Sequence, residues 1–369
     1  MSVGIVGAGQ LGRMLALAGY PLGIRCLFLD RAADTPAGQV AETLIGELDD
    51  PHLLRELAVR STVVSFDWEN VSVGALRKAL AGLKTRIAPP LRALATGQDR
   101  LAEKRLFERL GIPTTRYAPV GSRRALAAAI RSIGLPAVIK TRRMGYDGKG
   151  QRVVRSGAEA YAAFEALGAV PLLYEEWIGF EAEVSAIGAR GRRGELALYP
   201  LSRNFHSEGV LRLSLAPWED PALERLATRY LRAILSEFRY VGVLAVEFFV
   251  REGRLIANEL APRVHNSGHW TIEGAQTSQF ENHLRAICGL PLGASGARGY
   301  SAMINLLGEI PAAGKLLDFP GLHLHNYGKS ARAGRKVGHC TLIETNAARR
   351  DRRARQLVRQ LYPGLAAIP

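Results

Sequence analysis

Apolar and polar residues alternate most regularly in the segment 243–260. Two alternating apolar runs, 243–250 and 255–260, flank Arg251-Glu252-Gly253-Arg254, and this pattern predicts a β-hairpin around a short turn. Counting outward from the turn sets Glu247 opposite Glu259, with Cβ atoms roughly 5 Å apart on one face. Two facing carboxylates repel unless a cation lies between them. Mg²⁺ fits, because it binds few carboxylates and takes its other oxygen ligands from water or substrate phosphates. A solvated pair of glutamates on an exposed hairpin is the other reading. The segment that follows contains Arg263, His265, Asn266 and His269 among Pro and Gly, which predicts a polar loop at the exit of the hairpin.

The first ninety residues alternate between strand and helix patterns. Strands are predicted at 3–6, 26–29, 62–66 and 85–87, and helices at 10–20, 53–60 and 73–80, which together describe a parallel α/β sheet. Gly7-Ala8-Gly9-Gln10-Leu11-Gly12 lies between the first strand and helix, and Asp30 ends the second strand. That arrangement suits a dinucleotide, another phosphate, or tight strand–helix packing. Asp67 and Glu69 follow the strand ending at Phe66, where an open α/β sheet places its ligand crevice.

Pro89-Pro90 breaks this alternation. One amphipathic helix over 96–111, carrying Arg100 and Lys104, is predicted next, then a helix over 123–133. Strands follow at 135–140, 152–155, 171–176, 184–189 and 210–215, with helices at 158–167, 221–238 and 277–288. Lys140 ends one strand and enters Gly145-Tyr146-Asp147-Gly148-Lys149-Gly150-Gln151. A lysine beside a glycine-rich strand connection can neutralise phosphates with its ammonium and with backbone N–H groups. A flexible hairpin loop is the alternative, and no Walker A spacing occurs. The remainder reads as a small, mainly β unit with strands at 300–306, 322–327 and 336–344. Lys329, Arg335 and Lys336 lie among its glycines, as a phosphate site or as a solvated basic turn.

Composition narrows the class. The chain has 369 residues, 47% hydrophobic and 22% charged, enough for two or three domains of an ordinary globular protein. No apolar stretch approaches the roughly 20 residues of a membrane-spanning helix, and no charged signal-peptide head precedes the first strand. Cys26, Cys288 and Cys340 are scattered, which argues against a disulfide framework or a zinc site and for a reducing cytoplasm. The net charge of +15 implies an anionic partner. The basic residues are spread along the chain without interleaved aromatics, so phosphate handling is favoured over nucleic acid.

Five stretches together carry a resemblance: GAGQLGRM, GYDGKGQ, EVSAIGARG, NELAPRVHNSGHW and YGKSARAGRKVGH. With them the chain resembles the ATP-grasp superfamily and, within it, the N5-carboxyaminoimidazole ribonucleotide synthetase family. The resemblance implies three domains: a Rossmann-like nucleotide-binding domain at 1–95, an ATP-grasp domain at 96–293 and a small β domain at 294–369. It implies ATP- and bicarbonate-dependent carboxylation of 5-aminoimidazole ribonucleotide through carboxyphosphate, in a cytoplasmic homodimer. Arg100, Lys140, the 145–151 loop, Glu175, Glu176, Trp177, Ile178, Glu183, His206, Asn258 and Glu259 match positions that bind ATP. Glu247 and Glu259 match the Mg²⁺ ligands, and Gln10, Leu11 and Asp67 match ribonucleotide contacts. Tyr146, Asp147, Arg263, His265 and Asn266 match the bicarbonate and amine region. Lys329, Arg335 and Lys336 match the ribonucleotide 5′-phosphate site.

The implied chemistry agrees with the residue types. Phosphoryl transfer needs alignment and charge neutralisation more than covalent help. Arg263 can hold bicarbonate with two hydrogen bonds, and His265 can accept the proton of the attacking amine. Two departures stand out. Asp67 is shorter than the glutamate common at its position, so Glu69 is a second candidate there. Strict alternation also places Asn258 on the face opposite Glu259. Another ATP-grasp ligase, such as the formate-dependent glycinamide ribonucleotide transformylase, is one alternative activity. An NAD-dependent oxidoreductase built on Gly7–Gly12 and Asp30 is a second, and a nucleic-acid-binding protein a third.

Overall fold

The computed structural model describes residues 1–145, 150–168 and 170–363. The expectations placed on Tyr146, Asp147, Gly148 and Lys149 lie outside the described residues. The fold is mixed α/β, built on three sheets.

The N-terminal sheet is parallel, in the order Glu42–Ile45, Arg25–Asp30, Ser2–Val6, Val63–Phe66, Arg86–Ile87. Strand order reverses between Ser2–Val6 and Val63–Phe66, so the crevice at their carboxyl ends is the switch point where open α/β sheets bind ligands. The Gly7–Gly12 turn and Asp67 both lie there. The edge strand Glu42–Ile45 was not predicted. It is short and half-exposed, so it lacks the apolar run that marks its buried neighbours.

The segment expected as one helix over 96–111 is two helices, Leu91–Gly97 and Arg100–Arg109. Asp99 separates them. It accepts a hydrogen bond from the Leu101 N–H at 3.0 Å as N-cap, and Arg142 and Arg143 grip its carboxylate at 2.5 and 3.2 Å. Apolar periodicity continues through this break, and only the capping residue reveals it.

A four-stranded antiparallel sheet follows, in the order Tyr117–Val120, Leu172–Glu176, Ala137–Thr141, Gln151–Val154. Helices Arg123–Ile133 and Gly157–Ala166 bury Leu126, Ala129, Ala160 and Ala163 in a core with its inner residues.

The third sheet has nine strands. Eight run in the order Arg254–Ala261, Gly242–Arg251, Ala182–Arg190, Ser202–Ser207, Val210–Ala216, Tyr300–Gly308, Arg332–Glu344, Leu322–Asn326, and Leu196–Leu198 pairs with Ala182–Arg190. The last three C-terminal strands thus extend this sheet through the pairing of Val210–Ala216 with Tyr300–Gly308. Helix Pro221–Glu237 packs Leu223, Leu231, Ile234 and Leu235 against the hairpin end. Helix Gln279–Cys288 packs beside the first strands of the sheet and joins the core of the N-terminal sheet through Phe280, Leu284 and Ile287. The N-terminal sheet and the nine-stranded sheet therefore share one core, near the hairpin and the C-terminal strands.

The hairpin turns through Glu252 and Gly253, with φ of 51° and 68°. Two successive positive φ values are those of a two-residue type I′ turn, which matches the twist of the flanking strands. The turn is therefore tighter than the four residues the sequence suggests. Near it, Phe248 pairs with Ala257; beyond it, Glu247 pairs with Glu259, and Asn258 is the extra residue of a bulge. Continued unbroken, the turn-side register would set Asn258 opposite Glu247 and send Glu259 to the other face. The bulge also overturns strict alternation at Asn258, because bulges bend the strand and re-aim its side chains.

Candidate active site

Side-chain oxygens of Glu247 and Glu259 and a ring nitrogen of His265 lie within 4.8 Å of one another. The hairpin supplies the two acids and its exit loop the imidazole. Burial first, then the charge of Glu259, pushes the Glu247 carboxyl up to about 7. Such repulsion is what a bound cation removes, and an oxygen-rich pair suits a hard ion such as Mg²⁺. Arg100 Nη1 approaches Glu259 Oε2 at 3.6 Å. Glu183 pairs with His206 on the neighbouring strands. Burial pulls the His206 imidazole down, but its hydrogen bond to Glu183 and the charges of Glu247, Glu183 and Glu259 raise it to about 8.

His265 stands beside the glutamate pair. Its Nε2 is 3.9 Å from Glu247 Oε1, and its Nδ1 is 2.9 Å from Ser267 Oγ. Burial, followed by the charges of Arg263 and Lys336, holds it well below the usual imidazole range, so it is neutral and able to accept a proton. Arg263 pairs with Glu69 through Nε and donates from Nη1 to the Val264 carbonyl at 2.9 Å. Burial, the largest single influence, raises the Glu69 carboxyl, but the charge and hydrogen bond of Arg263, with its own backbone N–H and the charge of Lys336, together outweigh it and leave Glu69 below its ordinary value. Both polar side-chain atoms of Asn266 are buried without a hydrogen-bond partner among the described residues. Groups so placed await a ligand or ordered water.

The second cluster lies between the four-stranded sheet and the edge strand Arg254–Ala261. Glu175 is buried between two ammonium groups: Lys104 Nζ is 2.6 Å from Oε1 and Lys140 Nζ is 2.7 Å from Oε2. Thr115 Oγ1 also donates to Oε1. Burial raises this carboxyl, but Lys140 and then Lys104 more than offset it, and it stays ionised far below the usual range. Glu176 pairs with Arg116 at 3.0 Å, Trp177 is half-exposed and Ile178 is buried. Lys140 pairs in register with Gln151. Gly150, at φ +71°, brings its backbone against Thr141 so closely that a Cβ there would lie 2.7 Å from Thr141 Oγ1. Gly145 is the last residue described before Gly150.

At the switch point, Asp67 Oδ2 accepts hydrogen bonds from the N–H groups of Gly9 and Gly12 at 2.7 and 3.1 Å. Asp30 Oδ2 accepts from the Ala8 N–H at 2.7 Å. The donors that would grip a pyrophosphate therefore already hold the protein's own carboxylates, and Asp30 is turned to the loop. This is the physical reason the dinucleotide reading fails. Burial first, opposed by those two hydrogen bonds, brings the Asp67 carboxyl to about 6. Leu11 is buried. Gln10 faces the connection between Leu322–Asn326 and Arg332–Glu344, where Lys329 Nζ donates to its Oε1 at 2.5 Å. Arg335 Nη1 donates to Ser330 Oγ at 2.8 Å. Lys336 lies close enough to Glu69, Glu247 and His265 to act on each electrostatically.

Sequence reasoning placed Lys104 on a helix without giving it a role, and passed over Glu103 and Thr115. Glu103 Oε1 accepts from the Leu260 N–H at 2.5 Å, beside the glutamate pair. The available signal was their helical position: both charges fall among Leu101, Leu106 and Phe107, the residues the helix buries. A histidine layer was also missed. His325 and His339 stack with centroids 4.3 Å apart, His269 lies 4.9 Å from His339, and His325 meets Glu273 at 2.6 Å. These residues are far apart in sequence, and only the pairing of the last two strands brings them under the exit loop.

A glutamate pair on the nine-stranded sheet and Lys140 on the four-stranded sheet, with Lys104 on a helix tying the two together, are the arrangement of an ATP-grasp ligase. The ATP-grasp domain model matches residues 105–280. The ribonucleotide synthetase preATP-grasp domain matches 1–98, and the phosphoribosylaminoimidazole carboxylase C-terminal domain matches 301–353. The chain is 49% identical over 342 residues to the N5-carboxyaminoimidazole ribonucleotide synthase of Pseudomonas aeruginosa, covering 93% of this chain and 94% of the relative. It superposes on the crystal structure of N5-carboxyaminoimidazole ribonucleotide synthetase from Thermus thermophilus with a TM-score of 0.94, at 48% identity and 99% coverage of both chains. The Aspergillus clavatus enzyme, solved with ADP and 5-aminoimidazole ribonucleotide, gives a TM-score of 0.90 at 30% identity over 97% of each chain. The chain belongs to the N5-carboxyaminoimidazole ribonucleotide synthase family, a family of ATP-dependent ligases. Among the described residues, no helix is long and apolar enough to cross a membrane.

Proposed function

We propose that this chain carboxylates 5-aminoimidazole ribonucleotide with ATP and bicarbonate, giving N5-carboxyaminoimidazole ribonucleotide, ADP and phosphate in purine biosynthesis. The observation that carries this reading is the junction at His265: a neutral imidazole 3.9 Å from the glutamate pair, on the loop that also carries Arg263 and the unpartnered Asn266.

ATP binds in the cleft between the two ATP-grasp sheets, against Arg100, Lys140, Gly145–Gln151, Glu175–Ile178, Glu183, His206, Asn258 and Glu259. Glu247 and Glu259 would hold Mg²⁺, and the ion, when bound, would supply positive charge for the transferred phosphoryl group. Bicarbonate sits at Arg263 and Asn266, family resemblance adds Tyr146 and Asp147 to its contacts, and phosphorylation by ATP converts it to carboxyphosphate, from which the amine later displaces phosphate. That activated carboxyl group is attacked by the amine of the ribonucleotide, whose proton passes to His265. The negative charge of carboxyphosphate favours the protonated imidazole and offsets the burial that disfavours it. Gln10, Leu11 and Asp67 border the ribonucleotide; Lys329, Arg335 and Lys336 take its 5′-phosphate. Lys336 comes from the strand Arg332–Glu344, Lys329 from the connection before it and Gln10 from the start of the first helix, and the Lys329–Gln10 contact supports a site completed by both ends of the chain.

The domain limits at residues 95 and 293, the homodimer and the cytoplasmic location belong to the same reading and rest on family resemblance. The test is ADP release with ATP, Mg²⁺ and bicarbonate, with and without 5-aminoimidazole ribonucleotide. Release that requires the ribonucleotide supports the reading, and release indifferent to it sinks the assigned acceptor.

A further inference from the structure

We propose that Lys104 is a positioning residue: it keeps Glu175 paired while Lys140 leaves that carboxylate for a nucleotide phosphate. The inference rests on the reading that ATP occupies the cleft between the two sheets. Glu175 is one acid between two lysines, and its two oxygens are held differently. Oε1 accepts a hydrogen bond from Thr115 Oγ1 and lies 2.6 Å from Lys104 Nζ. Oε2 lies 2.7 Å from Lys140 Nζ but has no aligned hydrogen-bond donor among the described residues.

The two lysines differ in the same sense. Lys104 is sealed, with 2% of its side chain exposed. Its ammonium also donates to Thr114 Oγ1 at 2.8 Å, Thr115 Oγ1 at 3.1 Å and the Ala257 carbonyl at 3.3 Å. It therefore ties the four-stranded sheet, through Glu175, to the edge strand that carries Glu259. Lys140 is the more accessible, at 11%, and among the described residues no other hydrogen bond of its ammonium accompanies the ion pair. Lys140 can turn to a phosphate, and Lys104 cannot.

A buried carboxylate stripped of its counter-ion is strongly unfavourable. Without Lys104, Lys140 would be the sole counter-ion of Glu175, and recruiting it to phosphate would leave that carboxylate unpaired. With Lys104 present the cluster carries one surplus positive charge, and Glu175 keeps a partner in both states. A purely structural Lys104 would affect folding and leave nucleotide affinity alone.

The test is a double-mutant cycle of wild type, Lys104→Met, Glu175→Gln and the double variant, read as Mg-ADP affinity by calorimetry and as the Tm of each ligand-free protein. Lys104→Met is expected to weaken Mg-ADP at least about tenfold. In the Glu175→Gln background, where no carboxylate needs a partner, the same substitution is expected to change affinity less than about threefold. If Lys104→Met does not fold, Lys104→Gln, which keeps a hydrogen-bond donor toward Thr114 and Thr115 without the charge, takes its place in the cycle with the same expected outcomes. Equal affinity of wild type and a folded Lys104→Met overturns the inference, as does a tenfold loss that persists in the Glu175→Gln background. Failure of the wild-type protein to bind Mg-ADP would instead sink the nucleotide site itself.

Discussion

Glu247 pairs with Glu259 because the strand register slips by one residue at Asn258. The turn alone would have set an amide opposite Glu247. The bulge supplies the second carboxylate, and a bound cation would relieve its repulsion from the first. Glu247→Gln and Glu259→Gln are each expected to lower kcat at least about 100-fold, and the double variant little further, because the pair acts as a unit. Both variants should stay folded by circular dichroism and lose the Mg²⁺-dependent part of their stabilisation by ADP. Independent, multiplying losses would contradict a shared ion.

In the proposed reaction His265 serves the second half of the chemistry. His265→Ala is expected to keep Mg-ADP affinity within about threefold and to lower carboxylation roughly 10²- to 10³-fold, the range of general acid–base effects. Calorimetry paired with product analysis separates the two. Unchanged product formation would remove the proton-acceptor role.

The hairpin and the parallel N-terminal sheet were legible because alternation and the strand–Gly turn–helix pattern are local. Asp67 was legible as a residue at the switch point, but its partners were not. The Gly9 and Gly12 N–H groups reach it only because Ser2–Val6 and Val63–Phe66 are neighbours, a pairing no spacing reveals. Lys104 read as one more cation on an amphipathic helix, and its burial depends on two sheets closing over it. The last strands read as a separate β unit because nothing local shows that Tyr300–Gly308 pairs with Val210–Ala216. That pairing brings Lys329 to Gln10 and His339 beneath the exit loop.

Lys329→Met removes the ammonium that meets Gln10 across this junction. Steady-state kinetics should show KM for the ribonucleotide rising about tenfold, the scale of one lost charged contact, with KM for ATP unchanged. A change confined to ATP would move Lys329 to the nucleotide side.

His283 sets a pH dependence of stability. It is fully buried; its Nδ1 accepts from the Val243 N–H at 3.2 Å and its Nε2 meets Ser65 Oγ at 3.1 Å. Burial pulls the imidazole from 6.5 down to about 4. The unfolded chain therefore binds the proton first as pH falls. The contribution is fully present above about pH 6.5 and is lost as pH falls toward 4. Between pH 7 and 5, wild type should lose about 2 kcal/mol more than His283→Gln in urea unfolding. Groups common to both proteins cancel in that difference, and parallel curves would show that His283 is not held neutral.

The most direct test of ATP-driven bicarbonate activation is the fate of bicarbonate oxygen. With ¹⁸O-labelled bicarbonate, ATP, Mg²⁺ and 5-aminoimidazole ribonucleotide, phosphorylation of a bicarbonate oxygen predicts that each phosphate released carries one bicarbonate-derived oxygen. Phosphate free of label, formed at the same rate as ADP, would mean that bicarbonate is not phosphorylated and would contradict the account.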